Sequence, residues 1–300
     1  MKTADARVLL TGATGGIGQA TAAALVGAGA AVMLVGRSPA RLAAQARTLM
    51  RERSAAAAGR PQVEWLATEL TRTEGLAELS DAAAEWGCNV VIHNAGMPAF
   101  GRLETLDAAA MGEVLNLNLL VPMLLTQSLL PHLHSRADAR ILFIGSVLGR
   151  LGLPGYSVYS ASKFGLRGFA ESLRRELGGT RVGVQYLGPR STRTAFNSDA
   201  ATQYNQATAT AMDDPAVVGQ AVLDLLASGA PERFLGFPEK FAVRLNGLAP
   251  ALLDGAFAKH RSSLPPLARP EAGGGSGTPS GAASDTDTCS LMQPLATSKS

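Results

Sequence analysis

Tyr159 and Lys163 are two residues whose types and spacing could do chemistry. Residues four apart lie on the same face of a helix, so this spacing puts an ammonium group beside a phenol. A nearby positive charge favours phenolate and lowers a tyrosine pKa from its ordinary value near ~10. The pair is therefore suited to proton transfer, although the Tyr-x-x-x-Lys spacing by itself also occurs often by chance.

Two polar residues upstream could assist such a proton transfer. Ser146 lies thirteen residues before Tyr159 and follows an apolar run that ends at Ile144. Its hydroxyl can donate a hydrogen bond to an oxygen on which negative charge builds. A nucleophilic role is disfavoured, because no Gly-x-Ser-x-Gly turn surrounds it. Asn118 and Asn116 lie in an apolar helical stretch, where asparagine is a mediocre helix former and needs a reason to be present.

A glycine-rich turn near the N-terminus could bind a dinucleotide. Thr11-Gly12-Ala13-Thr14-Gly15-Gly16-Ile17-Gly18 follows an apolar run and opens a helical pattern. Glycines there let the backbone approach a pyrophosphate at a helix N-terminus. The next apolar run ends in Gly36-Arg37-Ser38, where NAD enzymes usually carry an acidic residue. The guanidinium of Arg37 could pair with a 2′-phosphate, or it could be a solvated side chain at the start of a helix.

The elements that position these residues alternate between strand and helix. Short, continuously apolar runs, typical of strands covered on both faces, occupy residues 7–10, 31–35, 63–67, 90–93, 140–144, 181–187 and 233–235. Helical patterns lie between them at residues 16–26, 41–53, 73–85, 108–130, 160–177 and 215–228. This alternation predicts one α/β domain of Rossmann type, a doubly wound parallel sheet of about seven strands. Ligands then bind at the carboxyl ends of the strands.

Composition narrows the class of protein. Of the 300 residues, 46% are hydrophobic and 17% are charged, as in a globular domain. The net charge of +3 is small and spread along the chain, which disfavours a nucleic-acid partner. Two cysteines make no disulfide framework and four histidines make no cluster, so we expect no metal site. We predict a cytoplasmic location, because the first apolar run is too short for a signal peptide or a membrane span.

Two segments near the C-terminus differ from the rest. The predicted domain covers residues 1–262, and residues 263–300 are rich in Pro, Gly, Ser and Thr, which predicts a disordered tail. Residues 237–262 form an amphipathic segment with basic residues, which Pro250 interrupts. Such a segment can lie on a membrane surface. Covering a pocket or packing on another subunit is the favoured interpretation.

Together these motifs resemble the short-chain dehydrogenase/reductase family over about residues 6–236. The four catalytic positions of that family are matched by Asn118, Ser146, Tyr159 and Lys163. Pro122 also matches a position of the family, and its distance along the chain identifies Asn118 and not Asn116 as the matching asparagine. The resemblance implies an NADP(H)-dependent oxidoreductase in which Tyr159 is the general acid/base and Ser146 binds the substrate oxygen. It also implies that Lys163 tunes Tyr159 and holds the nicotinamide ribose, and that Asn118 holds a water that contacts the lysine.

The resemblance also carries over a set of cofactor contacts. They are Gly12, Thr14, Gly16, Ile17, Gly18, Arg37, Ser38, Glu69, Leu70, Asn94, Ala95, Gly96, Tyr159, Lys163, Pro189, Thr192 and Thr194. Glu69 stands where the family has Asp, and His93 replaces an asparagine in a structural role. Gly145 stands where the family often has serine, and Arg190 stands where the family usually has glycine.

The resemblance leaves the substrate open. Residues 148–158 and 196–212 carry few charges, which favours a small or apolar carbonyl or alcohol substrate. Relatives are commonly dimers or tetramers that associate through their long helices, which implies a homodimer or homotetramer here. A non-catalytic dinucleotide-binding sensor or scaffold, and an enzyme of the same fold that epimerises or dehydrates, remain the alternatives.

Overall fold

A parallel sheet of seven strands forms the centre of the described structure, in the order β3-β2-β1-β4-β5-β6-β7. The computed structural model describes residues 1–53, 62–237 and 239–266. The strands are β1 (Arg7–Thr11), β2 (Ala31–Gly36), β3 (Val63–Ala67), β4 (Val90–His93), β5 (Ala139–Ile144), β6 (Val182–Gly188) and β7 (Glu232–Phe234). Every neighbouring pair is parallel. The predicted fold class is confirmed.

Helices cover both faces of this sheet. They are α1 (Gly16–Gly27), α2 (Pro39–Arg53), α3 (Thr73–Trp86), α4 (Ala108–Leu115), α5 (Val121–His134), α6 (Ser157–Glu176), α7 (Asp199–Ala207), α8 (Pro215–Ser228), α9 (Glu239–Leu248) and α10 (Ala258–Ser262). One buried cluster joins Leu10 and Ile92 of the sheet to Leu25 of α1 and Val222 of α8. A second cluster on the sheet joins Leu9 to helices α3, α5 and α6. Burial on both faces explains why the central strands are continuously apolar.

The strand order places a crevice where β1 and β4 lie side by side. The chain moves outward from β1 to β2 and β3, then returns to pair β4 with the other side of β1. At such a switch point the connections leave in opposite directions and open a crevice at the carboxyl ends of the strands. The glycine-rich turn follows β1 at this edge, and the segment that begins with Asn94 follows β4.

A π-helical turn interrupts the long helix that crosses one face of the sheet. Residues Asn116–Leu120 form this turn between α4 and α5, and Val121 donates its N–H to the carbonyl of Asn116. Such π turns occur often at functional sites. Among the described residues, Ala108–His134 is the one helix long and apolar enough to cross a membrane. Its Leu125, Leu129 and Leu133 are fully buried in the core beside the sheet, so we interpret it as a core helix.

The C-terminal amphipathic segment packs on the domain. After α9, Pro250 begins a 3-10 turn that spans Pro250–Phe257, so the proline interrupts the helix as expected. Val243 of α9 is buried, whereas Phe237 and Leu248 are 81% and 87% exposed. Described contacts continue to Pro265, whose carbonyl accepts a hydrogen bond from Arg102. Of the predicted tail, residues 267–300 lie outside the described residues.

Candidate active site

The glycine-rich turn brings three separate segments into close contact. Gly12 has a φ of +64°, and a Cβ there would lie 2.7 Å from the Cα of Ala95. A Cβ at Gly16 would overlap the side chain of Thr194. The turn after β1, the segment after β4 and the loop after β6 therefore meet at the carboxyl edge of the sheet. These predicted cofactor residues are brought together.

The first turn of α1 presents free backbone donors. Gly15 is the N-cap and provides no side-chain hydrogen bond. The N–H groups of a first helical turn, here those of Gly16, Ile17 and Gly18, have no helical acceptor. Backbone donors at a helix N-terminus bind phosphate well. A Cβ at Gly18 would lie 2.8 Å from the Cα of Ala13, so this glycine permits close packing of helix and turn.

Two side chains of α2 donate hydrogen bonds to backbone carbonyls of the glycine-rich turn. Gln45 donates from Nε2 to the carbonyl of Ala13 at 3.1 Å, and Arg41 donates from Nη2 to the carbonyl of Thr14 at 2.7 Å. The carbonyls are thereby held by protein donors. The sequence suggests Arg41 as a further charge at the helix start and favours a surface role for it; Gln45 was missed, and the available signal was a helix start directly after Arg37.

Asn94 and Thr11 brace the crevice from inside. The Asn94 Nδ2 donates to the carbonyls of Thr11 and Gly12, both at 3.0 Å. The Thr11 hydroxyl accepts from the N–H groups of Asn94 and Ala95 at 3.0 and 3.1 Å. His93 is buried and stacks on Phe143, and burial lowers its pKa to about 3. A neutral, buried imidazole fits the predicted structural role.

The residues predicted to bind the adenosine end of the cofactor differ in their exposure: some lie at the surface and one lies in the core. Arg37 is exposed, and Ser38 accepts a hydrogen bond from the N–H of Arg41 at 3.4 Å. The Glu69 carboxylate accepts from the hydroxyl of Thr71 at 3.0 Å, within its own turn. Leu70 packs in the buried core beside α3, so its side chain supports the turn.

The loop after β6 carries Arg190 where the family usually has glycine. Its guanidinium donates to Asp213 at 2.6 Å and to Glu239 at 3.5 Å, and all three side chains are largely buried. The Arg190 charge is therefore neutralised by two carboxylates, which tie this loop to α9. A glycine is required two residues earlier, since a Cβ at Gly188 would overlap Phe234.

Three further residues of that loop are held by backbone contacts. The carbonyl of Pro189 accepts from the N–H of Val147 at 2.8 Å, which fixes the loop against the Ser146 turn. Thr192 is buried and pairs with Asp213 in an isolated parallel bridge. Thr194 is half-buried, and its hydroxyl accepts from the N–H of Phe196 at 3.3 Å. The predicted nicotinamide loop thus borders both the glycine-rich turn and the serine.

Tyr159 and Ser146 meet at the carboxyl end of β5. Burial is the main cause that raises the pKa of Tyr159 above its ordinary value, while a hydrogen bond from Ser146 opposes the shift. The Ser146 Oγ accepts from the N–H of Leu148 at 3.0 Å, so its hydroxyl hydrogen can be donated to Tyr159 or to a bound oxygen. The pair can present two hydroxyl donors to one oxygen.

Lys163 lies in the same buried site. Its Nζ is 5.7 Å from the centre of the Tyr159 ring and donates to the carbonyl of Ile144 at 3.3 Å. Burial lowers the pKa of Lys163 to about 8. The expectation that the lysine lowers the Tyr159 pKa is not met, because loss of hydration dominates the pKa of both groups.

Asn118 connects the π turn to the rest of the site. Its Oδ1 accepts from the N–H of Met97 at 2.8 Å, and its Nδ2 donates to the Met97 carbonyl and to the Ser162 hydroxyl at 2.9 and 3.2 Å. Ser162 in turn donates to the carbonyl of Tyr159 at 2.7 Å. Ser162 was missed from sequence, because a serine between Tyr159 and Lys163 carries no distinguishing pattern. All four predicted catalytic residues are thus brought together.

Aromatic side chains form a wall beside Tyr159. Tyr156 and Phe196 lie 6.3 and 6.0 Å from the Tyr159 ring, centre to centre. Phe100 extends the wall, since it lies 4.8 Å from Tyr156 and 5.0 Å from Tyr204. The space next to the phenol is therefore bounded by apolar surfaces.

The C-terminal segment completes this wall. Phe257, like Tyr159, packs against a small buried cluster that includes Val243. His260 bonds through Nδ1 to the hydroxyl of Tyr204 at 2.7 Å. The amphipathic segment therefore packs its apolar side chains on the same cluster as Tyr159.

The sequence matches a known family and several known proteins. The short chain dehydrogenase family model matches residues 6–205, more than half of the chain. The ketoacyl reductase HetN of Nostoc sp. is 35% identical over 184 residues, which are 61% of this chain and 62% of that protein. Human 17-beta-hydroxysteroid dehydrogenase type 1 is 34% identical over 166 residues, 55% of this chain and 50% of that protein. The matched part spans less than two thirds of each relative.

Solved structures agree with the sheet and helices described above. A short-chain dehydrogenase from Sphingobium yanoikuyae in complex with NADPH superimposes with a TM-score of 0.69 at 26% identity, over 88% of this chain and 98% of that one. A short chain dehydrogenase from Burkholderia cenocepacia in complex with NADP gives 0.71 at 23% identity, over 86% and 99%, and shows the fold alone. The chain belongs to the short-chain dehydrogenase family.

Proposed function

We propose that this protein is an NADP(H)-dependent oxidoreductase that interconverts an apolar ketone or aldehyde and its alcohol. One observation carries the proposal: Ser146, Tyr159, Lys163 and Asn118 converge in a buried site beside the glycine-rich turn. Each of these residues has a distinct contribution to proton transfer.

Bound NADP(H) would donate or accept the hydride. In reduction, Tyr159 donates its phenolic proton to the carbonyl oxygen while the Ser146 hydroxyl hydrogen-bonds the same atom. Lys163 stabilises the phenolate that remains, since its ammonium lies within 5.7 Å of the ring centre. Asn118 holds the Met97 backbone and Ser162 in place, and we assign to this region the path that returns a proton to the tyrosine.

The residues of the crevice fit a dinucleotide. The free donors of α1 suit the pyrophosphate, and Asn94 keeps the floor between β1 and β4 rigid. Arg37 and Arg41 supply two positive charges next to Gly36, where an acidic side chain would repel a 2′-phosphate. These charges support a preference for NADP(H) over NAD(H).

The walls of the site support an apolar substrate. Tyr156 and Phe196 place aromatic rings beside the phenol, and Phe257 packs on the same apolar cluster as Tyr159. Two relatives bear the names ketoacyl reductase and 17-beta-hydroxysteroid dehydrogenase, both of which refer to oxygen groups on largely apolar carbon skeletons.

We further propose that two copies associate through the long helices. Leu120 ends the π turn and is 47% exposed, Leu124 of α5 is 39% exposed, and Phe164 of α6 is 42% exposed. A second copy of the same surface would bury these side chains. Light scattering should give at least twice the monomer mass, and Leu120→Glu should shift the protein toward monomer.

The test of the function is a comparison of cofactors. We expect the purified protein to bind NADPH at least about tenfold more tightly than NADH, and to oxidise bound NADPH when given a panel of apolar ketones. Arg37→Ala combined with Arg41→Ala should remove the preference by weakening NADPH alone. Arg47→Ala, an exposed charge on the same helix, is the matched control. Failure to bind either cofactor would overturn the proposal.

A further inference from the structure

A buried tyrosine on β6 contacts the residue that presents the catalytic hydroxyl. Tyr186 is 1% exposed and pairs in register with Phe143 of β5. Its ring lies 5.9 Å from that of Phe234. Neither the four catalytic positions nor the predicted cofactor contacts include it.

The Tyr186 hydroxyl holds the peptide groups on both sides of the Ser146 Cα. It accepts from the Ser146 N–H at 3.1 Å and donates to the Ser146 carbonyl at 3.1 Å. One hydroxyl group therefore satisfies a donor and an acceptor of the same residue. The Ser146 Oγ is fixed separately by the N–H of Leu148 at 3.0 Å. Because the backbone and the Oγ of Ser146 are both held, the protein fixes the direction of the Ser146 hydroxyl.

Two glycines make room for this tyrosine. A Cβ at Gly145 would overlap the Cζ and Oη atoms of Tyr186, and a Cβ at Gly149 would overlap Oη as well. Gly149 also lies close to the backbone of α6, since its Cβ would be 2.8 Å from the carbonyl oxygen of Lys163. The phenol thus fills a space that any larger residue at position 145 would need.

We propose that Tyr186 is a positioning residue that aims the Ser146 hydroxyl at the substrate oxygen, and that Gly145 exists to admit it. The proposal rests on the proposed function. Tyr186 and Gly145 are therefore a coupled pair, because a side chain at position 145 and the phenol would occupy the same space.

The first test removes only the hydroxyl. Tyr186→Phe should lower kcat about tenfold, change KM by less than about threefold, and leave NADPH affinity unaltered, because two hydrogen bonds to Ser146 are lost while the ring stays. Thr126→Val is the matched control: it removes a buried hydroxyl that bonds to His93 at 2.9 Å, far along the chain from the serine. It should cost similar thermal stability and leave kcat unchanged.

The second test is a rescue. Gly145→Ser in the otherwise unchanged protein should lower Tm and kcat, whereas the same change combined with Tyr186→Ala should raise Tm above that of Gly145→Ser and leave kcat low, because the hydroxyl that holds Ser146 is absent. Recovery of Tm without recovery of kcat distinguishes positioning from general packing. Unchanged kcat in Tyr186→Phe, or a Gly145→Ser protein as stable as wild type, would overturn the inference. A wild type that binds no nicotinamide cofactor would contradict the proposed function, while the unfolding data would still decide whether the two residues compete for one space.

Discussion

The cofactor crevice and the substrate wall of this protein are built in different ways. In the crevice, backbone approaches backbone: Gly12 lies against Ala95, and Asn94 bonds to carbonyls of the turn after β1. At the wall, side chains from distant segments meet, as when His260 reaches the Tyr204 hydroxyl. Backbone contacts tolerate few residue types, whereas apolar walls accept many of similar volume. The difference teaches that the crevice determines the reaction class and the wall determines the substrate.

Apart from Tyr159 itself, the largest effect should come from Lys163, where both regions meet. Lys163→Met should lower kcat for ketone reduction about 100-fold, because the phenolate that forms on Tyr159 loses its positive neighbour. The pH at which alcohol oxidation reaches half its maximum should rise for the same reason. Arg175→Met, an exposed residue of the same helix, should change neither value. A Lys163→Met enzyme with wild-type kcat would separate the lysine from catalysis.

A crevice substitution should act on cofactor binding. Gly12→Ala places a Cβ 2.7 Å from the backbone of Ala95 at a φ of +64°, so the turn must shift. We expect NADPH affinity, measured by fluorescence titration, to fall about 20-fold. Gly27→Ala is the matched control, since nothing lies within 4 Å of its added Cβ. Equal affinities in the two variants would show that the crevice is more pliable than its contacts indicate.

A wall substitution should act on the substrate instead. Phe257→Ala removes an aromatic ring that packs on the cluster beside Tyr159. KM for an apolar ketone should rise about fivefold with NADPH affinity unchanged, because apolar area is lost from the substrate side alone. Leu248→Ala, 87% exposed in the same segment, should alter neither. If Phe257→Ala weakened NADPH as strongly as the ketone, the two regions would not be separable.

The smallest effect concerns stability and pH. Burial lowers the pKa of Lys163 to about 8 from 10.5. On folding, the ammonium group must therefore either lose its proton or lose its hydration, whereas it keeps both in the unfolded chain. This penalty is fully present below the folded pKa and fades as the pH rises toward the unfolded value. The Tm advantage of Lys163→Met over wild type should therefore shrink as the pH rises from about 8 to about 10.5. An advantage that does not change with pH would show that Lys163 is not desolvated.

Most of the fold could be predicted from sequence because its signals are local. The continuous apolar runs predicted all seven strands to within two residues at each end. Gly12, Asn94 and Ser146 belong to short motifs at strand ends, and Tyr159 belongs to a short motif on one helix. The π turn at Asn116–Leu120 lies where the sequence has two asparagines, which are mediocre helix formers, in an apolar helical stretch. The cytoplasmic location stays a prediction.

The remaining features depend on contacts distant in sequence. Helix α7 was missed, because Asp199–Ala207 has a mixed polar pattern and is held by contacts such as that of Tyr204 with Pro154. The Arg190 ion pairs join residues 23 and 49 positions away. Tyr186 reads as an ordinary strand residue until β5 is placed beside β6. No local pattern encodes such pairings.

The central claim is that Tyr159 transfers the proton at a cofactor site that stands independently of it. The most direct measurement compares wild type with Tyr159→Phe for NADPH affinity and for single-turnover oxidation of bound NADPH by an apolar ketone. The account predicts unchanged affinity within about twofold and a rate at least about 1,000-fold lower in the variant. A variant that binds NADPH and turns over at a rate near that of wild type would contradict it.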